Sequence, residues 1–251
     1  HNSVEFMAFF ACVRVISESI ASLPLKTYLK GDGIEKANDH PVYNLLKLRP
    51  NLRMSSFTLR QITGYHLATW GNAYWYLVFG NSNRLEEIIP LMPNKTTAVL
   101  TRTGEIVYKT SVDDKEIYLD SSQVAHFKMV SIDGINGISP IRIMKDTIAL
   151  GMSANKYGLN YFNNGTHLGG VLESPNKLSD TAYERLKKDF KNGFTGITNA
   201  HKTKILEEGL KYTKLGLPPG DSQFLETRKF QIEEIARAFR IPPHKIGDLS
   251  K

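Results

Sequence analysis

The chain has 251 residues, 41% hydrophobic and 23% charged, which is enough apolar mass for two or three cored units and excludes a disordered chain. The single cysteine, Cys12, excludes an internal disulfide framework, and the most apolar stretch, residues 6–25, is interrupted by Arg14 and Glu18, which argues against a membrane span or signal peptide and for a soluble protein made inside the cell. The formal net charge of +7 is unevenly placed: residues 177–215 carry nine basic and five acidic side chains, residues 81–176 nine and ten.

Phe6, Phe9, Phe10, Val13, Ile16, Ile20 and Leu23 recur at three- and four-residue spacing and predict a helix that ends before Pro24. Cys12 lies within that pattern and reads as a buried core thiol. A polar loop around Asp32 leads to a short helix from Pro41, where a first-turn proline costs no hydrogen bond. Ser55 and Ser56 suit the cap of the next helix, with Phe57, Ile62, Tyr65 and Leu67 on its expected apolar face and a stop near Gly71 and Asn72. The period then shortens to two. Residues 73–79 are rich in aromatic and β-branched side chains, and Gly80 to Asn83 turns the chain into a strand over 84–89. Further strands are expected on both sides of Thr103 and Gly104, over 116–119 and over 124–129, completing one small antiparallel sheet. Helices followed by strands, without βαβ alternation, predict an α+β unit.

The second half has a different plan. Ser139 and Pro140 open a long helix whose apolar positions Ile141, Met144, Ile148, Met152, Leu159 and Phe162 keep helical spacing as far as the left-handed stop at Asn163, Asn164 and Gly165. After Gly170, Val171 and Leu172 come a lysine-rich helix over 179–190 and a strand pair at 203–206 and 210–214. Pro218 and Pro219 break the chain, Asp221 or Ser222 caps a last helix to Arg240, and Pro242 with Pro243 forbids its continuation. Two long helices thus bracket a basic insert. Its lysines, Lys187, Lys188, Lys191, Lys202, Lys204, Lys211 and Lys214, can neutralise phosphates by counterion release or form a solvated surface, and the pattern leaves both readings open.

Catalytic signatures are absent from the sequence. The seven histidines lie far apart and form no pattern that puts two metal ligands on one face, so no metal and no cofactor are expected. No Gly-x-Ser-x-Gly elbow occurs. The acidic pairs Glu86-Glu87, Asp113-Asp114, Glu207-Glu208 and Glu233-Glu234 are adjacent in sequence, so each pair splits across two faces and reads as solvated surface. Residues 196–203 approach a phosphate-binding loop, but His201 replaces the second glycine and the residues after it look extended, so no nucleotide site is expected.

Several phrases, taken in order, resemble a known family. They are Ala11-Cys12-Val13-Arg14-Val15-Ile16, Ala21-Ser22-Leu23-Pro24-Leu25, Gly71-Asn72-Ala73-Tyr74, Pro90-Leu91-Met92-Pro93 and Val124-Ala125-His126-Phe127-Lys128 in the first half. Asp133-Gly134-Ile135-Asn136-Gly137-Ile138-Ser139-Pro140 follows, then Phe162-Asn163-Asn164-Gly165 and Gly169-Gly170-Val171-Leu172. The last are Asp221-Ser222-Gln223-Phe224-Leu225-Glu226-Thr227-Arg228 and Ile235-Ala236-Arg237-Ala238-Phe239-Arg240-Ile241-Pro242-Pro243. In this order they resemble the portal proteins of tailed bacteriophages, over nearly the whole chain.

The resemblance implies an α+β fold with a wing of helices on a small antiparallel sheet over 1–137, stem helices over 138–165 and 221–241, an α/β clip over 166–220, and a return to the wing from 242 to 251. It implies a structural subunit and not an enzyme: a ring, usually of twelve copies, at one capsid vertex, assembled in the host cytoplasm, through which double-stranded DNA is packaged and ejected. Implied partners are further copies of the chain, duplex DNA bound without sequence preference, the terminase motor, head-completion proteins and the major capsid protein, with no membrane. The family continues past the Ile-Pro-Pro turn, so a chain running from His1 to Lys251 is expected to be a processed or engineered piece of a longer protein. The candidate DNA-facing or partner-facing residues are Lys187, Lys188, Lys191, Lys202 and Lys204; the candidate subunit contacts are Ile141, Ile148, Met152 and Leu159, for which burial inside the same subunit is the competing reading. Two rival functions stay open, a metal-dependent nucleic-acid-processing enzyme and a protein-binding adaptor that encloses no DNA.

Overall fold

A computed structural model describes residues 6–30, 34–163, 170–175, 178–194, 209–214 and 221–249. The chain divides into two compact units, one made of His1–Asp146 with Glu234–Lys251 and the other of Thr147–Glu233.

In the first unit, α1 (Met7–Ser22) packs against α3 (Ser56–Trp70). Small residues set their spacing. A Cβ on Gly64 would lie 2.8 Å from the Ser17 Cα, so the two backbones approach where side chains are shortest. Phe9, Cys12, Val13, Ser17 and Ala21 are the buried side of α1, and burial pushes the Cys12 thiol up to about 11. Ser55 caps α3 by accepting from the Thr58 N–H at 3.2 Å. Arg60 donates to the Ala21 carbonyl from Nε at 3.1 Å and Nη2 at 2.9 Å, and from Nη1 to the Leu46 carbonyl at 3.2 Å. One guanidinium thereby satisfies carbonyls left open at the ends of α1 and of α2 (Pro41–Lys47). Between α1 and α2, β1 (Tyr28–Lys30) pairs antiparallel with β2 (Ile34–Lys36).

The strands form two three-stranded antiparallel sheets where the sequence predicts one. The first, in the order β4-β3-β8, consists of β3 (Asn72–Phe79), β4 (Leu85–Leu91) and β8 (Val124–Lys128); the second, β5-β6-β7, consists of β5 (Thr96–Leu100), β6 (Ile106–Val112) and β7 (Lys115–Asp120). Alternation along β3 joins both to the helices, because neighbouring residues point to opposite faces. Tyr74 packs with Ala98, Tyr108, Leu119 and Val124 between the sheets, whereas Trp75 packs with Leu59 and Ile88 beneath α3. The Trp75 indole donates to Thr63 Oγ1 at 2.8 Å. Residues 234–249 return to this unit, where Ile235, Ala236 and Ile241 are buried and Phe239 meets Phe9 edge-on at 5.5 Å.

The predicted apolar face of α3 is displaced. Its core side is Leu59, Thr63, Gly64, His66, Ala68 and Thr69; Ile62, Tyr65 and Leu67 are half-buried and Phe57 is 44% exposed. Small and hydrogen-bonded residues face inward because α1 and Trp75 approach closely there, and a hydropathy pattern does not register that. Phe10, Ile20 and Leu23, assigned to the α1 stripe, are likewise exposed.

The expected continuous helix from Ser139 is interrupted. A single turn, α4 (Pro140–Ile143), ends at Met144 with φ −89° and ψ 13°, and α5 (Lys145–Asn163) begins there. The second unit then contains β9 (Gly170–Glu173), α6 (Asp180–Phe194) and β10 (Lys211–Lys214). β10 pairs antiparallel with β9, Lys211 opposite Glu173. The expected strand at 203–206 and the phosphate-loop candidate at 196–203 lie outside the described residues. The last helix, α7, runs Asp221–Ala238.

Candidate functional site

α3 ends at Gly71, whose φ of +74° is the left-handed value that closes a helix at little cost only for glycine. A Cβ on Gly71 would lie 2.1 Å from the Ile138 carbonyl oxygen, and one on Gly137 2.1 Å from the Gly71 oxygen, so two chain segments touch backbone to backbone. Asn72 fills the corner between them. Its Nδ2 donates to the Trp70 carbonyl at 3.1 Å and the Gly137 carbonyl at 2.8 Å, and its Oδ1 accepts from the Gly137 N–H at 2.7 Å. These backbone groups orient the amide, so Oδ1 also accepts from His126 Nε2 at 3.0 Å, which assigns the Nε2–H tautomer to that ring.

His126 stacks on Tyr74 at 4.4 Å, and burial, reinforced by Lys128, holds its pKa down to about 4. The imidazole is therefore neutral at neutral pH. Ser139 Oγ donates to the Thr69 carbonyl at 2.9 Å and accepts from the Arg142 N–H at 3.3 Å, tying the end of α3 to the start of α4. The loop between β8 and α4 folds around Asp133. Its carboxylate accepts from the Asn136 and Ile135 N–H groups, both at 2.8 Å, and from Ser131 Oγ at 3.0 Å, which together hold it below the usual carboxylate range. Asn136 Nδ2 reaches the Ala98 carbonyl on β5 at 3.3 Å. An open groove of about 690 Å³ adjoins this junction, lined among others by Trp70, Asn72, Asp133 and Arg142. Most of the junction's hydrogen bonds end on backbone, so the arrangement holds α4 in place. Among the described residues no group of three or more His, Cys, Asp or Glu is placed to hold a metal ion.

The residues expected from sequence lie elsewhere. Lys187 and Lys188 are exposed on α6; Lys187 lies 3.6 Å from Glu184 and 5.8 Å from the centre of the exposed Tyr183 ring. Lys191 is on the same helix, and Lys202 and Lys204 lie outside the described residues. The apolar stripe of α4 and α5 changes character along its length: Ile141 and Met152 are half-buried, Ile148 is 3% exposed and Leu159 is 63% exposed. Ile148 is therefore a core residue of this chain and not a free contact for a neighbour, because its surface is already covered. Asn72, His126 and Asp133 carry no catalytic motif in the sequence, but an Asn directly after a helix-ending glycine and an Asp-Gly-x-Asn-Gly loop are local signals of side chains bonded to backbone.

The profile of phage portal proteins matches residues 7–251. The chain belongs to the phage portal protein family. It is 32% identical over 258 residues to a probable portal protein of Streptomyces phage phiC31, covering 99% of this chain and 56% of that one. It is 26% identical over 254 residues to the portal protein of Enterobacteria phage HK97, covering 99% and 59%. The portal-family chain thus spans less than three fifths of these two relatives' length. Its fold is similar to an HK97-family phage portal protein from Corynebacterium diphtheriae, with a TM-score of 0.71 at 15% identity over 99% of this chain and 78% of that one. It is also similar to a chain in the neck of a native gene transfer agent particle computed with C12 symmetry, with a TM-score of 0.65 at 24% identity over 100% and 71%. Two of the phrases that carry the family resemblance, 71–74 and 133–140, are the segments that Asn72 joins across 65 positions. No helix among the described residues is long and apolar enough to cross a membrane.

Proposed function

We propose that this chain is the structural subunit of a portal ring, most simply of twelve copies, at one capsid vertex, through which double-stranded DNA is packaged and later ejected. The reading rests on one observation, the family match over residues 7–251, and the mixed α+β fold agrees with it. In this reading residues 1–137 with the returning end form the wing, 138–165 and 221–241 the stem, and 166–220 the clip. The ring assembles in the host cytoplasm and stays in the virion, where the clip docks the terminase motor first and head-completion proteins afterwards, and the wing meets the major capsid protein. A structural role needs no cofactor.

A channel must hold a moving duplex without gripping it, since many strong phosphate contacts add up to a barrier against sliding. A few exposed cations suit that requirement. Lys187, Lys188, Lys191, Lys202 and Lys204 are proposed to face either the DNA path or acidic surfaces of a docking protein. Leu159, with the half-buried Ile141 and Met152, is proposed to meet the neighbouring stem, because an exposed leucine on a helix stripe is uncovered within its own chain.

Electron microscopy of the full-length protein tests the ring. The expected result is closed rings with a channel wide enough for a duplex; a monomeric adaptor would remove the reading. Incubation with DNA and magnesium or manganese should leave the DNA intact, and metal-dependent cleavage would favour the enzyme. Replacing the five lysines by glutamine and measuring packaging separately from motor binding sorts their two roles.

A further inference from the structure

Two exposed patches of opposite charge lie in the first unit, one on a loop bonded along β4 and the other on β7, an outer strand of the second sheet. On the β4 side, loop 48–53 runs along the outer edge of the strand. It is pinned there by the Ile88 N–H, which donates to the Pro50 carbonyl at 2.8 Å, and by Asn51 Nδ2, which donates to the Ile88 carbonyl at 2.7 Å. With Pro50 and Asn51 buried, the rest of the loop is turned outward: Leu48 and Leu52 are 58% and 88% exposed, and Arg49 and Arg53 are exposed beside them. Neither arginine meets a carboxylate within 4.0 Å among the described residues.

At the other patch, β8 is reached from β7 through the turn at Ser121–Gln123, and β7 is an outer strand of the second sheet. Its outer face carries one exposed aromatic ring among charged residues. Tyr118, 63% exposed, shares that face with Glu116 and Asp120, whereas Ile117 lies on the opposite face with the buried Leu119. Lys109 pairs with Glu116 at 2.6 Å, and Asp113 and Asp114 just before the strand, with Asp120 at its end, leave the surface acidic. Charge on an edge strand is in itself only a guard against promiscuous strand pairing. Here the same chain also carries a complementary surface on loop 48–53, two exposed leucines beside two exposed arginines. Closed rings require heterologous contacts, in which two different faces of identical subunits meet, and an apolar centre with a charged rim is what such a contact uses.

We infer that loop 48–53 of one subunit docks on the outer face of β7 of the next, with Leu48 and Leu52 against Tyr118, and Arg49 and Arg53 facing the acidic residues around it. The occupant of each patch is a second copy of this chain, and the inference rests on the ring reading. Two single-cysteine probes in the full chain, Leu52→Cys and Tyr118→Cys, test it directly, since the natural Cys12 is buried. A covalent dimer is expected on oxidising the mixture, and none with either variant alone. Separately, Arg49→Glu with Arg53→Glu, and Glu116→Lys with Tyr118→Lys, are each expected to weaken assembly about tenfold or more in native mass spectrometry, and mixing the two variants should recover mixed contacts. Asp120 is left unchanged because it caps the following turn, and a thermal melt of each variant confirms that it is folded. Rings that form normally despite both charge reversals, or cysteines that cross-link only like to like, overturn the docking inference and leave the ring intact. A natural chain that never assembles overturns the ring and this contact together.

Discussion

The junction around Asn72 and the helix α6 are both rich in polar side chains, and they use them in opposite ways. At the junction most bonds described end on backbone: Asn72 on Trp70 and Gly137, Ser139 on Thr69, Asp133 on its own loop. On α6, Lys187 has an exposed acidic neighbour and Lys188 points to solvent. The first arrangement fixes a chain path; the second leaves charge available to something else. Polar residues that are satisfied internally hold a fold, and polar residues left exposed at the surface of a family known for assembly are where partners are to be sought.

Substitutions at the two regions should therefore differ most in stability. Gly71→Ala is expected to cost roughly 2–5 kcal/mol, since it combines a left-handed backbone with overlap onto the Ile138 carbonyl. Urea unfolding measures this, and a cost near zero would mean that the two segments do not touch. Asn72→Ala should cost about 2–4 kcal/mol, because it leaves the Gly137 N–H and the His126 ring without their shared acceptor.

Acid should act on the same region. Burial holds both His66 and His126 to about 4, against 6.5 for a free histidine. Their folded pKa values are depressed, so the unfolded chain takes up protons first as the pH falls. The stability they contribute is complete above pH 6.5 and is lost progressively as the pH drops towards 4. For the deeply buried His66 this amounts to roughly 3 kcal/mol. Urea midpoints recorded from pH 7 to pH 4.5 should fall, and should fall less in His66→Phe. At α6, by contrast, Lys187→Gln with Lys188→Gln should change stability by less than about 0.5 kcal/mol. If those side chains contact phosphates, the same pair should lower the salt slope of DNA binding by about two.

Much of the element order was legible in the sequence. Cys12 in an apolar stripe, Ser55 before a helix, Pro41 and Pro140 in first turns, and the aromatic run into β3 each carry a local physical signal, and each lies where that signal puts it. The face of α3 was not legible, because its core side is Thr63, Gly64 and Ala68, residues that hydropathy does not rank as core. Nor was the division of the strands into two sheets, since Tyr74 and Trp75 are equally apolar and only their packing shows which layer each serves. The lysine cluster was legible as composition, while its partner was not.

Local rules thus determined by themselves where helices and strands begin, how the chain turns, and, through the order of its phrases, the family. Tertiary structure alone decided that Gly71 and Gly137 touch, that Asn72 joins segments 65 positions apart, and that Ile148 is core while Leu159 is bare. The reason is that propensity, capping and turn chemistry act within a few residues along the chain, whereas burial and contact depend on what the rest of the molecule brings alongside.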